Sequence, residues 1–482
     1  MLDYLKKHPV ICKLLVVLFN LFCKTNKPTS LNLVLFVLSM LMLNSCKSVR
    51  FMFIHCIKYI AKVSLNRFYY MFNGSKIDVD DWTKELLKFA ISLIPVDCPH
   101  QILLSVDDTL IEKIGEFFAY IGILHDHAKH NGTEYLHGHC FVCVVMSIPI
   151  LVNGGYVYIS FPIGYRLWVP ENVDYSTIKV KDRTAKRKAV RSAKLKVDKN
   201  NYKNKLEIGK DLCEIARSII GNDRTIILLG DSWYPKGAIR DFVLEHRNIC
   251  GIFNVRKDTA IFDLPQSKTG KRGRPPKKGK QLFIDTDFDF IDVPNTDYRI
   301  GYKRVVTKLF GLDNVVMAVV TETRATKSRR LFISTDPDQS TIDISMITDA
   351  TAKAIGQTVP ELLCFCGYSF RWSVETNFLE QKTYWGLCDY MVRSMDGIQR
   401  LVNLQSLTYA VLSLLPYCDD AFASLRELSI QERRYELGRC LDREFFMATL
   451  TSELKNDPKY RDLAEHCEAI SRRQTDFSKT GS

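Results

Sequence analysis

The segment CFCGYSFRWSVETNFLEQKTYWGL, residues 364–387, decides how the rest of the chain is read. Tyr368, Arg371, Glu375 and Lys382 stand at spacings of 3, 4 and 7 residues. At about 3.6 residues per turn these four fall within an arc of roughly 60°. Phe370, Val374, Phe378 and Trp385 are expected on the opposite side. The spacing predicts a helix with an apolar face for a core and a second face that mixes a carboxylate, two cations and a phenol. Taken alone, the same pattern describes an ion-paired surface helix with i,i+4 Arg–Glu support.

Upstream, two apolar runs each end in an aspartate. QILLSVD closes on Asp107, followed at once by Asp108, and RTIILLGD closes on Asp231. Sites form at strand ends in open α/β sheets, and paired carboxylates suit a hard cation. Strand-terminal aspartates also serve simply as turn formers and helix caps, and Asp108 is an alternative to Asp107. Residues 139–152 and 156–169 are rich in β-branched and aromatic side chains around Gly154-Gly155, which predicts two strands joined by a turn. A helix is expected over 205–219, another from Pro235, and a strand over 249–256.

The combination of D-D-T on a first strand (Asp107, with Thr109), D-S on a later one (Asp231, in LLGDSWY) and Y-x2-R-x3-E-x6-K on a helix resembles the DDE transposases of bacterial insertion sequences, the group marked by a Y-R-E-K motif. The resemblance spans about residues 100–395. It implies an α/β fold, an RNase H-like mixed-sheet core, with a β-rich insertion between the second aspartate and the glutamate. Those two residues are 144 apart here. It also implies that Asp107, Asp231 and Glu375 are the catalytic residues and the ligands of two Mg2+ ions, with Mn2+ able to substitute, and that Asp107 bridges both ions. Arg371 and Lys382 would neutralise phosphates, and Tyr368 would meet the DNA backbone. The implied partners are the terminal inverted repeats and target DNA, with a homodimer in the synaptic complex and a bacterial, nucleoid-associated cytoplasmic setting. Some relatives hold a flipped base against an aromatic side chain; Trp233, Tyr298 and Tyr302 are candidates by position.

The expected organisation is therefore 1–98, a helical DNA-binding region; 99–256, the first part of the core; 257–335, an inserted β-rich subdomain; 336–395, the second part of the core with the Glu375 helix; and 396–482, a helical region suited to dimerisation. Two other readings remain: a nuclease relic that no longer transposes, and a basic DNA-binding protein whose carboxylates are structural. Metal-dependent strand cleavage separates them.

Composition agrees with a nucleic-acid partner. Of 482 residues, 67 are Lys or Arg and 54 Asp or Glu, a formal charge of +13, which favours a polyanion. The 46% hydrophobic and 25% charged content excludes a disordered tail, a fibrous repeat and a small disulfide scaffold. Two basic stretches stand out. Residues 179–205 hold twelve Lys or Arg against two Asp, read as a solvated face or a phosphate-tracking surface. KTGKRGRPPKKGK at 268–280 resembles an AT-hook, in which Arg272 and Arg274 enter a narrow minor groove beside Lys271 and Lys277. Fifteen cysteines without a regular framework suggest reduced thiols. His137, His139, Cys140 and Cys143 have ligand types that suit zinc, but a strand would turn Cys140 away from the other three. The apolar run 31–45 is shorter than a membrane span and is broken by Asn32, Ser39 and Asn44, which predicts a buried helix of a protein with no membrane segment.

Overall fold

The computed structural model describes residues 9–169, 203–265, 276–337 and 342–456, apart from the 127–131 loop and a few single positions. Most of the basic run 179–205 and all of Lys271, Arg272 and Arg274 lie outside the described residues.

Among the described residues, five helical segments come first: α1 (Pro9–Leu21), α2 (Lys27–Met42), α3 (Val49–Met52) continuing through a π-helical turn into α4 (Lys58–Ile60), α5 (Leu65–Asn73) and α6 (Val79–Ser92). Asn26 caps α2 by accepting the Thr29 N–H, with Pro28 in the first turn, a helix start that uses an orphan donor. Ten residues from Asn32 to Leu41 are buried along α2, as expected for its apolar run. Among the described residues, no helix is long and apolar enough to cross a membrane.

The sheet begins with β1 (Ile102–Glu112), β2 (Gly122–His125), β3 (Tyr135–Val152) and β4 (Gly155–Trp168). After α7 (Lys205–Ile220) come β5 (Ile226–Gly230), α8 (Gly237–Glu245) and β6 (Ile249–Val255). Neighbours run β4–β3–β1–β5–β6, with β3 antiparallel to β1 and β4, and with β1, β5 and β6 mutually parallel. This is a mixed, helix-flanked sheet of RNase H-like organisation. β3 is buried over nearly its whole length, because helices cover both faces, and its sequence is a continuous apolar run rather than an alternating one. The Asn204 side chain accepts the Leu206 and Glu207 N–H groups, and the Glu207 carboxylate accepts the Asn204 N–H, closing a capping box at the start of α7.

The 257–335 segment, expected as an inserted subdomain, continues the same sheet. β12 (Arg329–Ser334) pairs antiparallel with β6, β11 (Gly311–Thr323) with β12, and β10 (Tyr298–Thr307) with β11, while the two-residue strands β7 (Ile261–Phe262), β8 (Gln281–Leu282) and β9 (Ile291–Asp292) finish that edge. One apolar cluster spans both parts, taking in Leu103, Ile227, Leu229 and Ile252 of the first strands and Met317, Val319 and Phe332 of the later ones.

Helices return at α9 (Ala350–Thr358), α10 (Leu363–Cys366), a 3-10 turn (Gly367–Arg371) and α11 (Trp372–Tyr384), then α12 (Met395–Leu414) and α13 (Ile430–Asn456). The last two are integral to the core. α12 is buried from Arg400 to Leu414, and the buried Arg434 of α13 donates to the Met40 and Tyr384 carbonyls. Those faces are buried within the subunit.

Candidate active site

Strand register brings the two aspartates together. The parallel ladder of β1 and β5 runs from Ile102↔Ile226 to Ser105↔Leu229. Two residues further on stand Asp107 and Asp231, close enough for the Asp231 charge to act on the Asp107 carboxyl. Asp107 is not at the end of its strand, as the sequence suggested; β1 continues to Glu112 against β3, with Asp107 opposite Cys143. It is β5 that ends there, at Gly230, and both aspartates are half-buried.

Asp108 points to the other face. Its carboxylate accepts Lys205 Nζ at 2.7 Å, Cys140 Sγ at 3.2 Å and the Tyr234 hydroxyl at 3.3 Å. Asp107 Oδ1 accepts the Asp108 N–H at 2.8 Å, and Asp231 Oδ1 accepts the Trp233 N–H at 2.9 Å.

The third carboxylate reaches the pair through Arg371. Its guanidinium donates from Nη2 to Asp107 Oδ2 at 2.7 Å and from Nη1 to Glu375 Oε1 at 2.6 Å. Burial, opposed by Arg371 and reinforced by the Asp231 charge, pushes the Asp107 carboxyl up to about 7. The Arg371 guanidinium, pulled down by burial, is held above its ordinary value by Asp107 and its other neighbours. Tyr368 turns inward: its hydroxyl donates to the Gly230 carbonyl at 3.3 Å, its ring stands edge-on to Phe332, and burial raises it to about 12. It anchors the 3-10 turn beside Asp231. Lys382 lies seven residues past Glu375, about 10 Å along the helix. Burial pulls its amine below its ordinary value, with Cys388 and Asp126 acting the other way.

The buried stripe of α11 consists of Val374, Asn377, Phe378 and Gln381, continuing to Trp385. It lies beside the Tyr368–Arg371–Glu375 face rather than opposite it. That is why Arg371 is half-buried at the border of the two. Asn377 and Gln381 were missed in the sequence reading. Gln381 Nε2 donates to the Tyr165 hydroxyl at 3.0 Å, and that hydroxyl donates to Asn377 Oδ1 at 3.2 Å. Two amides at i,i+4 on an otherwise apolar stripe were the available signal.

Of the remaining expectations, Lys277 is paired with Asp313 at 2.5 Å. Trp233 is exposed next to Asp231, with Lys236 Nζ 3.4 Å from its ring centre. Tyr298 and Tyr302 are half-buried on β10. His139 uses both ring nitrogens, Nδ1 with the Tyr390 hydroxyl at 2.6 Å and Nε2 with the Ala119 carbonyl at 2.9 Å, while Cys140 serves Asp108. This cluster is core and hydrogen-bond network. The described cysteines are free thiols.

Residues 20–295 match the model of a family described as DDE superfamily endonuclease. The match holds Asp107 and Asp231 and stops short of Glu375. No curated protein matches the chain. Because the match covers more than half of the sequence and contains the strands that bring the aspartates side by side, this chain belongs to the DDE superfamily endonucleases.

Proposed function

We propose that this endonuclease is the transposase of a bacterial insertion sequence, binding the terminal inverted repeats and carrying out metal-dependent cleavage and strand transfer at its ends. The observation that carries this reading is the Asp107–Asp231 pair with Glu375 tethered to it through Arg371.

DDE enzymes generally use divalent metal ions, and the aspartate pair suits one. Asp107 is half-buried beside a second carboxylate, and its raised pKa comes first from burial, with the Asp231 charge adding to it against Arg371. Among the described residues no group of three His, Cys, Asp or Glu side chains stands ready to hold a metal, and Glu375 is paired with Arg371. Asp107 and Asp231 would hold the first Mg2+, and Glu375 would join once its ion pair with Arg371 opens. When bound, paired ions supply stabilisation of the attacking and leaving oxygens of the phosphodiester.

The chain's own residues do the rest. Arg371, released from the carboxylates, neutralises a phosphate near the scissile bond. Tyr368 fixes the Arg371 turn to the end of β5. Trp233 and Lys236 are exposed in the loop that follows Asp231. Residues 4–77 contain no Asp or Glu, and Arg50, Lys58, Lys62 and Arg67 are exposed there, which supports contact of the N-terminal helices with DNA backbone. Lys271, Arg272 and Arg274 are proposed as groove contacts and Lys382 as a more distant cation. A homodimer is proposed because two element ends must be held together.

The test is cleavage of the element's own ends, flanked by host DNA, with Mg2+ or with EDTA. Mg2+-dependent nicks at the boundary are expected from the wild type. Asp107→Asn, Asp231→Asn and Glu375→Gln should abolish cutting and keep binding. Cleavage by purified Asp231→Asn protein would sink the assignment, and binding without cleavage by the wild type would favour a relic or a repressor.

A further inference from the structure

The side chain behind the aspartate pair has a network of its own. Asp108 is on the opposite face of β1 from Asp107, with 21% side-chain exposure, the same as its ion-pair partner Lys205. Its three side-chain contacts come from three different elements: Lys205 is the first residue of α7, Cys140 is on β3, and Tyr234 is in the loop between Asp231 and α8. Lys205 Nζ also lies 4.8 Å from the ring centre of Trp168, the last residue of β4. Tyr234 is fully buried and its N–H reaches back to the Asp231 carbonyl at 3.3 Å. The surroundings are tight. A Cβ on Gly209 of α7 would come 3.1 Å from Val106, and one on Gly230 would come 3.0 Å from Tyr234.

β1 and β5 stop pairing at Ser105↔Leu229, so backbone hydrogen bonds of that ladder do not extend to Asp107 and Asp231. The loop that carries Asp231 is tied to β1 by the Tyr234–Asp108 hydrogen bond instead. We infer that Asp108 is a positioning residue: gripping Tyr234 and Lys205 behind the sheet, it holds the Asp231 loop and the start of α7 against β1 and so sets the separation of Asp107 and Asp231. This rests on the endonuclease reading of the pair. Asp108 touches none of the reacting atoms, and a small displacement of either aspartate would slow the reaction with DNA affinity unchanged.

The experiment is amide hydrogen exchange on the full chain, with and without Asp108→Ala, read in fragments covering 230–240 and 203–210, alongside cleavage at saturating DNA. Exchange in the 231–236 loop should rise about tenfold or more in Asp108→Ala, above any change elsewhere. Tyr234→Phe, which removes one hydroxyl and keeps the ring, should loosen the same loop and leave 203–210 protected; Lys205→Met should do the reverse. Cleavage by Asp108→Ala should fall about 10- to 100-fold with an unchanged DNA Kd. Unchanged exchange at 231–236, or a uniform rise across the chain in all three variants, would overturn the inference. So would loss of Mn2+ binding in Asp108→Asn with its retention in Asp107→Asn, which would make Asp108 the ligand. If the wild type cuts no DNA, the endonuclease reading fails on its own, and the exchange data still decide whether Asp108 holds the loop.

Discussion

At the scale of single residues, the site is shaped by which groups share one buried position. Asp107 is driven up to about 7 chiefly by burial. A carboxyl with a raised folded-state value stabilises the fold most below its unfolded value of 3.8, and that contribution is lost as pH rises through about 7. Without divalent metal, Asp107→Asn should therefore gain Tm relative to wild type as pH rises from 5 to 8, and added Mg2+ should shrink the gap; a gap independent of pH would exclude this account. His139 behaves in the opposite sense. Burial lowers it to about 4, against the Ala119 carbonyl and aided by Lys113, so its contribution is present above 6.5 and lost as pH falls towards 4. Arg371 competes with any cation for Asp107 and Glu375. Arg371→Gln should bind Mn2+ about tenfold more tightly without DNA, by paramagnetic titration, while cleaving more slowly. Equal or weaker Mn2+ binding would remove Arg371 from that role.

At the scale of elements, the most instructive join is α12 against β4. Asn403 accepts the Tyr165 N–H at 2.9 Å and donates to its carbonyl at 2.8 Å, and Gln399 accepts the Leu167 N–H at 2.9 Å. Side-chain amides thus do for this edge strand what a further strand would do. Asn403→Ala leaves the Tyr165 N–H without an acceptor and should destabilise by about 1–3 kcal/mol in urea unfolding; a change below about 0.5 kcal/mol would mean that water replaces the amide. The helical runs, the strand at 226–230 and the turn at Gly154-Gly155 were legible in the sequence because each depends on local periodicity or turn chemistry. The α12–β4 contact was not, because nothing local distinguishes an amide that pairs a strand edge from one that faces solvent.

At the scale of the whole molecule, the 257–335 segment is structural as well as inserted. β12 covers the edge of β6, and its Phe332 shares a core with Leu103 and Ile252. A chain shortened by excision of 257–335 should lose cooperative unfolding, since an apolar edge strand would be bared and the cluster would lose Val293, Ile300, Met317, Val319 and Phe332. Retention of a sharp transition would mean that the segment is a separable unit.

What the sequence determined by itself was the chemistry on offer: two aspartates after apolar runs, the Tyr368–Arg371–Glu375–Lys382 spacing, and a basic charge balance. These are properties of residue type and short-range spacing. Tertiary structure decided which of two adjacent aspartates faces the site, that Tyr368 turns inward, that Lys382 stands apart, and that Arg371 links Glu375 to Asp107. Those outcomes depend on a strand register set between residues 124 apart, and on helix packing that no periodicity encodes. Asp107 and Asp108 are equivalent as letters, and only the alternation of β1 between two covered faces separates them.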